Sequence, residues 1–179
     1  MFVLLWVVRV KLRWFSKRRN YELPLIVPSA IQTYLSRDLA DFGFLKQAPR
    51  AELAAHARAL GFRYLTDPRA CQFVCNIIAA EQPRFLFYLD MGAGKSKAVL
   101  DLLRFRKARS ELQRALIVVP EFVHIDSWEE QLREHAPDLR YVKLLGDKAE
   151  RFDLIDQKAD AYLINYAGLP VYMAEKKRA

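Results

Sequence analysis

Residues 85–96 are F-L-F-Y-L-D-M-G-A-G-K-S, and this stretch decides the fold. Its leading apolar residues predict a buried strand, and the residues from Lys95 onward predict a helix. The glycines between them let the backbone turn so that successive N–H groups point into one hollow, to which the helix adds the positive end of its dipole. A polyphosphate suits such a hollow. The stretch therefore predicts a strand, a phosphate-binding loop and a helix, in that order.

The last two residues of the stretch have specific tasks in a loop of this type. The Lys ammonium reaches the β- and γ-phosphates and the next hydroxyl holds Mg²⁺, so Lys95 and Ser96 are candidates for these roles. The full pattern G-x-x-x-x-G-K-[ST] requires glycine at position 89, where this chain has Leu89. Apolar residues recur at helical spacing after the loop, as the pattern requires: Ala98, Val99, Leu102 and Leu103. We expect a nucleoside triphosphate with magnesium, and the alternative is a glycine-rich turn that begins an ordinary helix.

The composition indicates a globular chain with an uneven charge distribution. Its 179 residues, 53% of them apolar, can form one domain of ordinary size with an accessory segment. The formal net charge is +8, and residues 1–19 contain no acidic residue but several basic ones: Arg9, Lys11, Arg13, Lys17, Arg18 and Arg19. An anionic partner such as nucleic acid explains this cluster, and a solvated basic tail explains it equally well.

We interpret residues 1–62 as an accessory N-terminal region. Alternating residues predict a strand with a basic face over 8–14, and helices are expected over 29–39 and 51–60. The apolar residues 1–8 are too few for a membrane-spanning helix, which needs about twenty residues. The order of charge and apolar residues also differs from that of a secretory signal. We therefore expect no membrane association and a cytoplasmic location.

The cysteines and histidines do not form a metal-binding pattern. Cys71 and Cys75 lie four residues apart in a predicted helix, without a C-x-x-C pair, which is typical of small core residues in a reducing compartment. His56, His124 and His135 lack the spacing of metal ligands. We expect these histidines to be surface or capping residues and predict no structural zinc.

Helices and strands alternate from residue 63 onward. The patterns predict helices over 69–80, 95–109, 126–135 and 147–156, and strands over 85–89, 115–119, 141–145 and 161–165. Continuous apolar strands between helices predict an α/β fold with a parallel sheet covered on both faces. Ligands gather at the carboxyl ends of such strands, where the glycine-rich loop lies together with Pro120, Gly146 and Tyr166.

The order of these motifs resembles a known family. The order comprises Gln72, residues 90–96, residues 115–120, Trp128, Gly146 and residues 163–166. It is similar to the first RecA-like lobe of superfamily two helicases, and within them to Swi/Snf-type DNA translocases and their phage relatives. The resemblance covers about residues 63–170. It implies a P-loop NTPase lobe with ATP and magnesium as cofactors and double-stranded DNA as partner, in the host cytoplasm if the protein is phage-encoded.

The resemblance also implies roles for individual residues. Gln72 matches the glutamine that reads adenine, and one Gln amide can donate to N7 and accept from the N6 amino group. The phosphate-binding residues correspond to Met91, Gly92, Ala93, Gly94, Lys95 and Ser96. Ser96 matches the magnesium ligand. Pro120 matches a loop that grips one DNA strand, and Asn165 and Tyr166 fall near a second such loop. For Pro120, simple termination of the strand is an equal alternative.

Two departures from the family limit the expected activity. No Asp-Glu dipeptide occurs in the 179 residues, although in the family the Asp orders magnesium and the Glu activates water. Residues 154–156 imitate that motif only faintly, and the acidic residue expected three places after Trp128 is Gln131. The second RecA-like lobe is also missing, and with it an arginine finger that contributes roughly 10³ to 10⁵ in rate. We identify no catalytic residue, and we expect residues 63–179 to be a truncated first lobe that binds MgATP, hydrolyses it poorly and needs a second RecA-like lobe as partner.

Two other functions are compatible with the same sequence. A small P-loop kinase shares the strand-loop-helix geometry but needs an acceptor pocket and an Arg-bearing lid. A non-enzymatic nucleic-acid-binding module would use the basic strand 8–14 and the basic residues of the helix that follows the loop: Lys97, Arg104, Arg106, Lys107 and Arg109. Such a module would keep its nucleic-acid binding in a Lys95→Ala variant.

Overall fold

The computed structural model describes residues 2–5, 45, 48–82, 87 and 89–170. Contacts divide the chain into two compact units, Met1–Trp6 with Pro49–Ala179 and, separately, Val7–Ala48, and the features below belong to the first. The predicted strand 8–14, the predicted helix 29–39 and most of the predicted strand 85–89 lie outside the described residues. The sequence places a boundary at residue 62, whereas the first unit also contains residues 49–62. The functional division at that boundary stays a prediction.

The described residues form five α-helices, and each lies where the sequence predicts one. They are α1 (Arg50–Leu60), α2 (Ala70–Glu81), α3 (Lys95–Ala108), α4 (Val123–His135) and α5 (Lys148–Asp156), followed by a short 3₁₀ helix (Tyr166–Gly168). Helix α4 begins earlier than the predicted start at residue 126, because turn hydrogen bonds from His124 to Glu121 and from Ile125 to Phe122 extend it. In the described part of the chain, no helix is both long and apolar enough to cross a membrane.

Four parallel strands in the described residues form one sheet, in the order β1-β2-β4-β3. They are β1 (Phe2–Leu5), β2 (Ala115–Val119), β3 (Tyr141–Lys143) and β4 (Ala161–Asn165). Parallel neighbours need crossover connections, and α4 and α5 supply those from β2 to β3 and from β3 to β4. The predicted α/β fold with a parallel sheet, as expected of a partial RecA-like lobe, is confirmed.

Two strands differ from their predictions. Strand β3 ends at Lys143 rather than at residue 145, although the backbone N–H of Leu144 still donates to Leu163 at 2.8 Å. Strand β1 was not predicted, since no helix or strand was assigned to residues 1–7 from their apolar pattern. It pairs with β2 in the register Phe2 to Ala115. An apolar segment can add to the edge of a parallel sheet because β2 offers unpaired backbone groups there.

The sheet has a hydrophobic core on each face. Alternate residues of β2 divide between the two cores, with Ile117 and Val119 on one side and Val118 on the other. The first core contains helix residues of α3 and α4, and Trp128 is among them at 3% exposure. Phe87, just before the glycine-rich loop, packs against the same core. The segment that leads into the loop is therefore anchored in this core.

Candidate functional site

The glycine-rich loop leads directly into α3. Gly92 and Gly94 have φ angles of +77° and +76°, in the left-handed region that favours glycine. The backbone N–H of Ala93 donates to the carbonyl of Asp90 at 3.2 Å and closes the turn. Gly94 is the N-cap of α3 and has no side chain to cap it. The loop thus turns tightly and delivers an uncapped helix start.

Side chains at the start of helix α2 hold the loop through hydrogen bonds to the carbonyl groups of the loop. The guanidinium of Arg69 donates to Gly92 O at 2.8 Å, and Nε2 of Gln72 donates to Ala93 O at 3.2 Å and to Gly94 O at 3.0 Å. The side chain of Cys71 also lies against the loop, with Sγ 4.0 Å from Ala93 O. Consecutive carbonyls of the loop are therefore bound from the same side.

The orientation of the carbonyls decides where the loop amides point. A trans peptide group directs its C=O and N–H to opposite sides, so the N–H groups of Gly94 and Lys95 are directed away from α2. The first hydrogen bond within α3 is donated by Ala98 to Gly94 at 3.2 Å. The N–H groups of Lys95, Ser96 and Lys97 consequently have no acceptor in the helix. These donors, together with the helix dipole, form a surface suited to an anion.

Lys95 brings a positive charge to this surface. Its ammonium donates to Leu89 O at 2.9 Å and to Asp90 O at 2.8 Å. Both acceptors are neutral carbonyls, so the charge is hydrogen-bonded but not neutralised. A phosphate oxygen can replace such a carbonyl as acceptor, and the charge makes that bond stronger. Ser96 is half-buried one residue later, at the first turn of α3.

Gln72 is part of the loop clamp in this structure. The side chain is 3% exposed, and its Oε1 accepts from the backbone N–H of Arg69 at 2.8 Å. Both ends of the amide are thus bound to backbone, and a Cβ added at Gly94 would overlap Nε2 of Gln72. Adenine recognition by Gln72 stays a prediction. Arg69 was not predicted as a site residue, although its position three residues before Gln72 could have indicated that both contact the loop.

The residues expected at the carboxyl ends of β2 and β4 lie at one edge of the sheet. Val119 pairs with Asn165, so Pro120 and Tyr166 follow neighbouring strand ends. Tyr166 is 44% exposed, whereas Oδ1 of Asn165 accepts from the N–H of Gly168 at 3.1 Å and caps the 3₁₀ helix. Phe122 is also exposed just after Pro120 and was not predicted.

The basic residues of α3 have partners within the protein. Lys97 and Asp101 form an ion pair of 2.6 Å with both side chains buried. Arg104 pairs with Asp138, Lys107 with Asp160, and Arg109 with Glu111, at 2.6 to 2.8 Å, and Arg106 donates to Ala79 O at 3.0 Å. Most of the basic side chains that were expected to contact nucleic-acid phosphates are therefore bound to groups within the protein. This arrangement does not favour the non-enzymatic binding module.

A carboxylate next to Trp128 joins α4 to β3. Glu129 accepts from Lys143 Nζ at 2.8 Å, from the Tyr141 hydroxyl at 2.7 Å and from Arg133 at 2.7 Å. The hydrogen bonds from Lys143 and Tyr141 lower the pKa of Glu129 to about 2. This carboxylate is an acceptor within a structural cluster that joins α4 to β3.

The cysteines and histidines differ in their environments. Cys75 is buried, and burial raises the pKa of its thiol to about 12, as expected of a core residue, whereas Cys71 is half-buried beside the loop. His135 is 8% exposed, with Nδ1 2.9 Å from the Thr66 hydroxyl. The prediction that His135 is a surface or capping residue is therefore wrong, because its position on the inner face of α4 buries it.

Comparison with known proteins identifies the family. The chain is similar to the Sulfolobus solfataricus SWI2/SNF2 ATPase core in complex with dsDNA, at 31% identity over 45% of this chain and 16% of that one, with a TM-score of 0.40. The chain thus spans a small part of that relative, and no curated protein matches it. The family described as SNF2-related domain matches residues 10–178. The chain belongs to the SNF2-related domain family, as the order of its motifs predicted.

Proposed function

We propose that residues 90–96 bind MgATP and that the chain contributes the nucleotide-binding lobe of a DNA-dependent SNF2-type ATPase. SNF2-family ATPases bind ATP and magnesium. The observation that carries the proposal is the direction of the loop backbone. Its carbonyls are held by Arg69 and Gln72, which leaves the opposite side, with its N–H groups, to a ligand. Backbone donors at a helix start suit phosphate oxygens.

The residues of the loop fit a magnesium-bound triphosphate. The left-handed glycines Gly92 and Gly94 allow the tight turn of the loop, and Lys95 supplies a charge that neutral carbonyls leave uncompensated. Ser96 would be the protein ligand of the metal, within reach of the same phosphates. Bound magnesium would neutralise the negative charge that develops on the phosphate oxygens.

Hydrolysis by these residues alone should be very slow. The sequence contains no Asp-Glu dipeptide to order magnesium and activate water. Groups that bind the ground state and the transition state equally well do not accelerate the chemical step. We therefore propose that this chain binds MgATP and that turnover requires a water-activating acid and a second RecA-like lobe.

We also propose that the edge after β2 and β4 faces duplex DNA. Pro120 and Tyr166 follow paired strand ends, and the exposed Phe122 adjoins them. The related SWI2/SNF2 ATPase core was solved in complex with dsDNA, which supports DNA as the partner. The small P-loop kinase has no support from the family assignment.

MgATP binding and turnover by the purified chain, with and without duplex DNA, test the proposal. Lys95→Ala should abolish MgATP binding, and Lys158→Ala, a matched change of an exposed lysine outside the loop, should leave it intact. We expect binding without turnover in the parent chain. Equal binding by the parent chain and Lys95→Ala would refute the nucleotide site. DNA-stimulated turnover that is lost in Lys95→Ala would instead show that the chain contains an unrecognised water-activating acid.

A further inference from the structure

The first residue of α1, Arg50, contacts the segment that leads into α2. Its guanidinium donates to the carbonyl of Pro68 at 3.0 Å, forms an ion pair with Asp67 and lies 5.6 Å from the centroid of the Phe73 ring. A positive charge at the start of a helix is opposed by the helix dipole, so helix formation does not account for an arginine at this position. Its contacts with residues outside α1 are the better explanation.

The three contacts of Arg50 differ in strength. The Asp67 side chain is 82% exposed, and an ion pair in such a setting contributes little because water screens it. The hydrogen bond to Pro68 O is partly buried, and the ring of Phe73 beside it is 2% exposed. A charged donor also strengthens a hydrogen bond to a neutral carbonyl. The carbonyl of Pro68 is therefore the main point at which Arg50 holds the segment.

The carbonyl of Pro68 belongs to the same peptide group as the N–H of Arg69. A trans peptide group is planar and directs its C=O and its N–H to opposite sides. Arg50 binds the C=O of this group, whereas the N–H donates to Oε1 of Gln72 at 2.8 Å. One rigid peptide plane is thus hydrogen-bonded on both sides, to the guanidinium of Arg50 and to the amide of Gln72.

The amide of Gln72 continues this connection to the glycine-rich loop. A Gln amide has an acceptor oxygen on one side and NH₂ donors on the other, and its last torsion angle is soft, so a partner on one side orients the other. The N–H of Arg69 binds the oxygen, and Nε2 therefore faces Ala93 O and Gly94 O, at 3.2 and 3.0 Å. Hydrogen bonds that follow one another in this way polarise and strengthen each other.

We propose that Arg50 is a positioning residue for the nucleotide site. By fixing the peptide group between Pro68 and Arg69, it orients the Gln72 amide that holds the loop, and it acts without touching the nucleotide. The inference rests on the proposed function of the loop, and it also predicts a property of the nucleotide-free chain. It gives a task to a residue of the N-terminal region 1–62, to which the sequence assigned none.

Arg50→Met is the variant that tests the proposal, because methionine keeps an unbranched apolar side chain but cannot donate a hydrogen bond. Two control variants accompany it. Asp67→Asn removes the ion pair and leaves the bond to Pro68 O, and Arg58→Met makes the same change at another exposed arginine of α1. Three quantities are measured for each variant: the Tm, the Kd for MgATP, and the exchange rate of the Arg69 amide hydrogen without nucleotide, by NMR.

We expect Arg50→Met to weaken MgATP binding by about 3- to 10-fold and to accelerate exchange of the Arg69 amide hydrogen, because its acceptor is held less firmly. Both control variants should keep the Kd and the exchange rate of the parent chain. Arg50→Lys retains a charged donor and should recover part of the loss. Parent-like values in Arg50→Met would overturn the proposal, and so would changes of the same size in the controls.

A double-mutant cycle with Gln72→Met separates positioning from a general effect on stability. Gln72→Met lacks the amide through which Arg50 is proposed to act, so adding Arg50→Met should weaken MgATP binding no further. An equal weakening by Arg50→Met in the parent chain and in Gln72→Met would show that Arg50 acts by another route, and would overturn the proposal.

Two further results are assigned in advance. If Gln72→Met does not fold, exchange of the side-chain amide hydrogens of Gln72 is compared between the parent chain and Arg50→Met, and equal rates would overturn the proposal. If the parent chain does not bind MgATP, the proposed function fails, and the exchange rates of the Arg69 and Gln72 hydrogens alone decide for or against positioning by Arg50.

Discussion

Two helices of this protein begin at the carboxyl edge of the sheet after a glycine in the left-handed region, yet their first turns are different. Before α5, Gly146 has a φ of +102°, and Asp147 and Glu150 form a reciprocal capping box, with N–H to oxygen distances of 2.9 and 2.8 Å. Before α3, Gly94 offers no capping side chain. The N–H of Glu150 in the first turn of α5 is thus bound by the N-cap side chain, whereas the N-cap residue of α3 has no side chain to bind its first amides.

The two loops are also held in different ways. Arg151 of α5 donates back to Gly146 O at 2.8 Å, so the α5 loop is fixed by its own helix. The α3 loop is fixed by Arg69 and Gln72 from another helix. When side chains from another helix hold a loop, the loop can be rigid while its own backbone N–H donors stay unused. A similar glycine signal in the sequence thus precedes a structural turn in one place and the proposed binding surface in the other.

The largest predicted effect concerns the interior of α3. Asp101→Asn leaves the Lys97 ammonium buried without its counter-charge, and we expect a loss of about 3–5 kcal/mol in the free energy of unfolding. Asp153→Asn on the exposed side of α5 should change it by less than about 0.5 kcal/mol. Denaturant titrations measure both. The double variant Lys97→Met/Asp101→Leu should recover most of the loss, and failure to recover would show that the ion pair itself is not responsible.

The next effect separates the two glycines. Gly94→Ala and Gly146→Ala each place a side chain at positive φ, which costs about 1–3 kcal/mol. Each new Cβ also displaces a hydrogen-bonding side chain, Gln72 at the α3 loop and Glu150 at the α5 loop. We expect similar losses of stability, but only Gly94→Ala should weaken MgATP binding, by about tenfold or more. Equal MgATP affinities of Gly94→Ala and Gly146→Ala would show that the two loops do not differ in their part in nucleotide binding.

A smaller effect is expected from removing the cap of α5. Asp147→Ala frees the N–H of Glu150 in the first turn of α5 and should cost about 1 kcal/mol in the free energy of unfolding. It should not create a second nucleotide site, because the ammonium of Lys148, at the first position of α5, stands 5.9 Å from the centroid of the Phe152 ring, and the loop is held by Arg151 of the same helix. Thermal unfolding and MgATP titration of the Lys95→Ala/Asp147→Ala variant check both points. MgATP binding by that variant would show that an uncapped helix start is sufficient.

The smallest effect is a pH dependence at α4. The pKa of Glu129 is lowered to about 2 by Lys143 and Tyr141, below its usual value of 4.5. The stability that these bonds contribute is fully present above pH 4.5 and is lost as the pH falls toward 2. Unfolding measured at pH 6 and pH 3 should show this loss in the parent chain and a smaller one in Glu129→Gln. An identical pH dependence in both proteins would exclude Glu129 as its source.

The sequence predicted the elements of the sheet and its helices well, because hydrophobic periodicity follows from burial. Strand β4 and helix α5 end where they were predicted to end, and the tight turn before α3 follows from Gly92 and Gly94, whereas phosphate binding there stays a prediction. Strand β1 was missed, since a short apolar run without flanking turn residues does not by itself reveal its pairing with β2.

The contacts that complete the site could not be predicted in the same way. Arg69 and Gln72 act on loop carbonyls more than twenty residues away, and only the fold brings them together. Lys97 was expected on a basic surface because charged residues are usually exposed. Its spacing of four residues from Asp101 was a signal for an ion pair, but not for its burial.

The hydrogen bonds from Lys95 to the carbonyls of Leu89 and Asp90 have a consequence for the association of a nucleotide with the proposed site. The ammonium links the start of α3 to the first residues of the loop, and these bonds favour the loop conformation seen without a ligand. A ligand then meets a prepared surface and need not order a mobile chain, which lowers the entropic cost of association. Under the proposed function, Lys95 would thus help to hold the loop in a binding-competent conformation when no nucleotide is bound.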